Sequence, residues 1–336
     1  MDCYKFIIKR LVIFIPQLFA VILITFLLIR MIPGSPAEAM AGSFATDEVV
    51  AAIEQKMGLD KPVPTQFLIY MKNLLHGDMG TSWFTSNPVT KDLAQRFPAT
   101  LEMITYSLIL ALIIGISFGL LISLKPGSVG DRIGRGYSLL AGAMPEFWIG
   151  LLLVFIFYVK LHIAPAPLGR ISLALSPPKT ITGMYTVDAL LTGNMPAFKS
   201  ACAQLTLPVV TLGLCYSGPI MKMTKTIMSD VVNSNYVWYA RACGLPTKKV
   251  NRYVIRNGLT PVVTFVGTLY GFLLGAATLI EQGFGWGGIG QYAVSAVTNK
   301  DYAAIQGFMF VSALFCMIVY LIVDIVYYIV DPRSRG

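Results

Sequence analysis

The chain has 336 residues, of which 55% are apolar and only 13% charged, more apolar surface than a water-soluble domain can bury. That excludes an ordinary soluble enzyme and points to an all-α integral membrane protein. The formal charge of +9 is spread over short polar segments, which suits anionic headgroups and a positive-inside bias better than nucleic acid.

Lys5, Lys9 and Arg10 precede an apolar run at 11–29. A signal peptide has the same order, and Ala37-Glu38-Ala39 imitates a cleavage site. The run is longer than a signal-peptide core, however, and long enough to cross a bilayer. Residues 1–31 therefore read as a retained anchor helix entering from the cytoplasm, bent at Pro16. Residues 32–98 read as a long periplasmic loop. In it, Asp47–Met57 forms a short amphipathic helix capped by Thr46 or Asp47 and stopped by Gly58, and 66–75 forms a second, ended by Gly77. His76, with Asp78 nearby, is a structural turn residue rather than a metal ligand.

Residues 99–330 hold the remaining spans, about six with the anchor. The second is expected at 100–124 and the third at 137–159. Pro145 frees a backbone carbonyl and allows a kink, as in a helix lining a path, and Trp148 follows it. Glu146 falls near mid-bilayer in such a span. A carboxylate there must face protein or water, as a functional group or as a hydrogen-bonded structural one. Residues 161–203 form a second external loop. The fourth span, 205–223, is broken by Pro208, Gly213, Gly218 and Pro219. The fifth, 262–280, carries Gly267, Gly271 and Gly275 as a bare stripe. Such a stripe serves helix packing, or a seam between two subunits beside a path.

Gly283-x-Gly285-x-x-Gly288 imitates a dinucleotide fingerprint, but it follows an apolar helix rather than a strand. The sixth span, 303–330, carries Asp324 near its inner end, where a helix-to-helix hydrogen bond is expected. Residues 331–336 are a cytoplasmic tail. Fifteen of the 26 Lys and Arg fall on the inside segments of this arrangement, so both termini are cytoplasmic.

Between the fourth and fifth spans lies a polar, basic stretch, 229–261. Asn233, Ser234 or Asn235 can cap a short helix at 236–243, and Gly244 suits a left-handed corner after it. Pro246 stops continuation. Thr247 then caps a second short helix with Lys248, Lys249, Arg252 and Arg256. Alone, this could be a DNA-binding helix-turn-helix, but spans on both sides pin it to a bilayer surface. A basic loop that only fixes orientation needs charge, not a capped helix and a glycine corner.

Tyr236-Val-Trp-Tyr-Ala-Arg-Ala-Cys-Gly-Leu-Pro resembles the coupling ("EAA") loop of the membrane subunits of binding-protein-dependent ABC importers, in the peptide/nickel permease branch. Trp238, Tyr239 and Cys243 stand where that family carries polar or basic residues. Met31-Ile-Pro-Gly-Ser-Pro, Gly58-Leu-Asp-Lys-Pro, His76-Gly-Asp-Met-Gly-Thr-Ser and Asp301-Tyr302…Gln306-Gly307 are similar to the same branch. So is Glu281-Gln-Gly-Phe-Gly-Trp-Gly-Gly-Ile-Gly, with Gly287 in place of the family's proline.

The resemblance implies a type I importer permease fold and a subunit that forms half of a path for di- or oligopeptides or a related solute. It implies a second homologous permease, a periplasmic binding protein and two cytoplasmic ATPases carrying ATP and Mg. A groove on an ATPase would receive Tyr236, Trp238, Tyr239, Ala240, Arg241, Ala242 and Gly244. The chain has no P-loop, no catalytic array and no cofactor or metal site of its own. Position alone marks Pro145, Glu146, Trp148, Gly267, Gly271 and Gly275 as path candidates. The alternative is a proton-coupled secondary transporter using Glu146. A membrane-bound enzyme has only Glu146 and His76 in its favour.

Overall fold

The computed structural model describes residues 3–31, 34–42 and 45–330. The tail 331–336, and Ile32 and Pro33 of the first loop motif, lie outside them. Thirteen helices run in order among the described residues, and the only strand-like pairing there is a single bridge between Thr81 and Pro88.

Helix α1, Cys3–Arg30, covers the expected anchor, with Pro16 inside it. Arg10 bonds Asp324 at 3.1–3.2 Å, so the helix-to-helix bond expected of Asp324 joins the first and last spans. Three short helices follow: α2, Pro36–Ala41, α3, Asp47–Met57, and α4, Val63–Leu75. The bounds of α3 are as expected, because its signals are local. Asp47 and Glu48 face the positive end, Lys56 the negative one, and Gly58 turns left-handed at φ +68°. Helix α4 starts earlier than expected, behind Pro62. Arg30 ties it to the end of α1 through Gln66, at 2.6 and 3.0 Å.

Helix α5, Val89–Ser123, starts well before the expected span, because Val89 and Leu93 are already buried in the core. The expected third span is two helices. Helix α6, Val129–Ala143, and α7, Glu146–Leu153, meet at 103°, and α7 continues as a π-helix over Val154–Lys160. Met144 is extended at ψ 134° and Pro145 caps α7, so the proline ends one helix rather than bending a single span.

Helix α8, Tyr185–Leu191, lies in the second loop. Helix α9, Met195–Val232, runs unbroken through Pro208 and Pro219, which corrects the broken fourth span. Close neighbours support it: Leu110 abuts Gly213, Ala141 abuts Gly218, and Tyr137 donates to the Leu214 carbonyl at 3.0 Å.

The short helix α10, Asn235–Ala242, leads into α11, Thr247–Phe284. The expected short basic helix and fifth span are thus one 38-residue rod with Pro261 inside it. One proline removes one hydrogen bond, and the packed helix on either side carries through. Helix α12, Ile289–Thr298, and α13, Tyr302–Val330, complete the chain. Among the described residues, five helices are long and apolar enough to cross a membrane, six if α6 with α7 counts as one broken span. The main core joins α5, α9, α11 and α12 around Trp286, Leu273, Ile280 and Leu212. A smaller core at the other end of α9 and α11 holds Met228, Val237, Val250 and Val254.

Candidate functional site

The smaller core anchors α10. Val237 is 1% exposed and plugs between Met228 of α9 and Val250 and Val254 of α11. Ala240 and Leu245 flank that plug. Ser234 caps the start with extended backbone. Gly244, at φ +74°, lets the chain turn back, its N–H donating to the Arg241 carbonyl at 2.9 Å and that of Leu245 to the Ala240 carbonyl at 3.1 Å.

With one face spent on the anchor, the other is bare. Trp238 is 71% exposed, Tyr239 67% and Tyr236 47%, with Arg241, Ala242 and Gly244 also exposed. Sequence reasoning placed Ala240 on the outward face, but the structure turns it inward onto the small core, because it lies one turn from Val237. The Tyr236 hydroxyl accepts from Asn257 of α11 at 3.4 Å, whereas Trp238 and Tyr239 stand outside the core.

Helix α6 is locked to α9 near this end. Asp131, 3% exposed, bonds Lys225 and the Gly127 amide, and lies 3.4 Å from Arg135. The α6–α7 elbow carries the next candidates. Pro145 and Trp148 are exposed, and Glu146 is half-buried at the first turn of α7, facing Cys215 and Tyr216 of α9. Glu146 therefore sits at a break between two helices, not in the middle of a continuous span.

Of the glycine stripe, Gly267 and Gly271 face α13. A Cβ on Gly267 would come within 2.0 Å of Val323, and one on Gly271 within 3.2 Å of the Tyr320 hydroxyl. Both let two helices of the same chain close up, while Gly275 has nothing within 4 Å. His76 ends α4 and its Nδ1 bonds the Lys72 carbonyl at 2.8 Å. Among the described residues no three His, Cys, Asp or Glu side chains gather as a metal site.

Residues 111–336 match the family model described as binding-protein-dependent transport system inner membrane component, and residues 3–104 match that of its N-terminal region. The chain belongs to this family. Members are membrane components of transport systems and not enzymes. A probable D,D-dipeptide transport system permease protein of Escherichia coli (strain K12) is 39% identical, over 94% of this chain and 93% of its own. A di/tripeptide transport system permease protein of Pseudomonas aeruginosa (strain UCBPP-PA14) is 38% identical over 98% of both chains. A glutathione transport system permease protein of Salmonella choleraesuis (strain SC-B67) is 32% identical over 98% of this chain and 99% of its own.

Two buried polar nodes of this permease escaped the sequence reading. At the α12 end, Glu281 is fully buried and accepts from Thr100 of α5 and, at 2.8 Å, from the Gln291 amide of α12. Trp286 donates to the Ala99 carbonyl at 2.9 Å beside it. Glu102 takes the Thr186 amide and hydroxyl at 2.7 and 2.6 Å and Arg170 at 2.8 Å. The two nodes fasten α12 and the loop around α8 to α5. An acid at the end of an apolar run was the visible signal for Glu281, but its partners lie up to 181 residues away.

Proposed function

We propose that this chain forms half of the path of an ATP-driven importer for di- or oligopeptides or a related solute such as glutathione. Its energy comes from partner ATPases. The observation that carries this reading is near full-length similarity to permease proteins of peptide transport systems, combined with an α10 anchored through Val237 whose Trp238 and Tyr239 stand outside the core.

In this reading the α10 end is cytoplasmic, with both termini, and the α12 end meets a periplasmic binding protein. The clustering of Lys222, Lys225, Arg241, Lys248, Lys249, Arg252 and Arg256 at the α10 end supports that orientation. Trp238, Tyr239, Tyr236, Arg241 and Ala242 sit in a groove of an ATPase subunit. Closure of two ATPases on ATP moves α10, and through Val237 the ends of α9 and α11. The spans of this chain and of a second, homologous permease then switch access from outside to inside. Pro145, Glu146 and Trp148, at the elbow, line the seam between the two permeases.

The test is purification of the tagged chain from its native membrane in mild detergent, followed by mass spectrometry. Two P-loop ATPase subunits and a second permease should co-purify. Recovery of the chain alone, active in transport under a proton gradient, would overturn the proposal.

A further inference from the structure

A cavity of about 400 Å³ opens where α1 ends, between α1, the turn joining α3 to α4, α4 itself and the start of α13. Its size falls in the range of small-molecule sites, about 300–1,000 Å³. The charged residues in its wall are Arg30, Lys56 and Lys61 against one acid, Asp78. Asp78 already accepts from the Gly80 amide at 2.8 Å. The wall therefore carries an excess of positive charge.

Arg30 is the last residue of an apolar helix of membrane length, so its guanidinium stands at the boundary between hydrocarbon and water. It is held in place there, over the Phe26 ring and 3.4 Å from its centroid. Its Nε and one terminal nitrogen donate to Gln66 at 3.0 and 2.6 Å, and the other terminal nitrogen to the Phe26 carbonyl at 3.1 Å. These acceptors are neutral. Among the described residues no carboxylate pairs with Arg30, and the one titratable group acting on it is the Tyr302 phenol. One N–H on each terminal nitrogen stays unused, and guanidinium donors of this kind match phosphate oxygens. Gln66 also donates to the Leu59 and Lys61 carbonyls at 3.1 and 2.8 Å, which ties the loop carrying Lys61 to the arginine.

Helix α4 shows what borders the cavity. Its Phe67 meets Phe19 and Phe26 edge-on, with ring centres 5.9 and 5.0 Å apart, so α4 packs against the C-terminal half of the α1 span. Leu68 and Leu75, two turns apart on α4, are exposed. An apolar face of an amphipathic helix beside a membrane span belongs in the lipid boundary. A soluble anion would neutralise the cations and leave Leu68 and Leu75 uncovered. A zwitterionic headgroup would bring its own cation into a wall already in positive excess. We propose that the cavity binds the phosphate of a singly negative phospholipid, of the phosphatidylglycerol class, with its acyl chains along α1 and α4. The leaflet is the one at the α12 end, periplasmic in the orientation above. The site does not depend on which solute the transporter carries.

The test uses the complete transporter, stripped of lipid in mild detergent, and native mass spectrometry with dioleoyl phosphatidylglycerol as the probe. Dioleoyl phosphatidylcholine supplies the chains without net charge, and glycerol 1-phosphate the phosphate without chains. Phosphatidylglycerol should bind one site per copy of this chain about tenfold or more tightly than phosphatidylcholine, the scale of one charge-assisted hydrogen bond. Arg30→Gln should abolish that preference. Arg30 also holds Gln66, so a second variant, Lys56→Gln with Lys61→Gln, changes only exposed side chains and keeps the hydrogen bonds around the cavity. It should weaken phosphatidylglycerol binding several-fold without shifting the melting temperature.

Equal binding of the two lipids, parental binding in either variant, or displacement of phosphatidylglycerol by an equal concentration of glycerol 1-phosphate would overturn the proposal. The last result would assign the cavity to a soluble phosphate ester instead. If Arg30→Gln does not assemble, the double lysine variant decides alone.

Discussion

Gly244 offers a way to test the proposed coupling role of the corner after α10 without touching a packed surface. Its φ is +74° and no atom lies within 4 Å of where a Cβ would stand, so the cost of a side chain there is one of backbone conformation. For alanine that cost is about 1–2 kcal/mol. It lowers the population of the closed corner by a factor of roughly 5–30. Asparagine tolerates the left-handed region and should lose much less. Proline fixes φ near −65° and removes the N–H that reaches the Arg241 carbonyl at 2.9 Å, so the corner cannot form.

The spans do not depend on this corner, so all three variants should insert and purify like the parent. The assay is peptide transported per ATP hydrolysed in proteoliposomes containing the whole complex and supplied with binding protein. The expected order is parent, then Gly244→Asn, then Gly244→Ala, with Gly244→Pro uncoupled. Parental coupling in the proline variant would refute the reasoning, because it would show that the position of α10 does not matter to transport.

Trp238→Ala should leave thermal stability within about 0.5 kcal/mol, since the side chain is 71% exposed, yet weaken capture of the ATPase subunits about tenfold in a pull-down. Gly267→Leu should force α11 from α13 and lower the melting temperature in detergent, an overpacking penalty of about 1–3 kcal/mol. Gly275→Ala, with open space around it, should melt like the parent. Glu146→Gln should retain ATP-driven uptake, and an uncoupler should not abolish uptake in either protein; loss of uptake on collapsing the proton gradient would favour the secondary-transporter mechanism.

The short helices α3 and α10 were legible because their stop signals, Gly58 and Gly244, are local. The ends of α5 and α11 were not. Their polar first turns form helix because Val89 and Leu93, or Val250 and Val254, are buried against partners distant in sequence. The α6–α7 elbow hides in an apolar run that reads as one span; Pro145 marks the place, but the packing of both halves on α9 and α11 sets the 103° turn. Asp324 was legible as one half of a helix-to-helix bond, whereas Arg10, 314 residues earlier, was not. In α10 the helix and its glycine corner were legible and its orientation was not. Periodicity cannot show that Val237 and Ala240 face inward until Met228 and Val250 are in place.

The central claim, that partner ATPases drive peptide uptake through this subunit, is tested most directly by labelled dipeptide uptake into proteoliposomes. These hold the purified complex, ATP inside and binding protein outside. The account predicts accumulation that requires ATP, persists in the presence of an uncoupler and is lost in Gly244→Pro. Accumulation without ATP that follows an imposed proton gradient would contradict it.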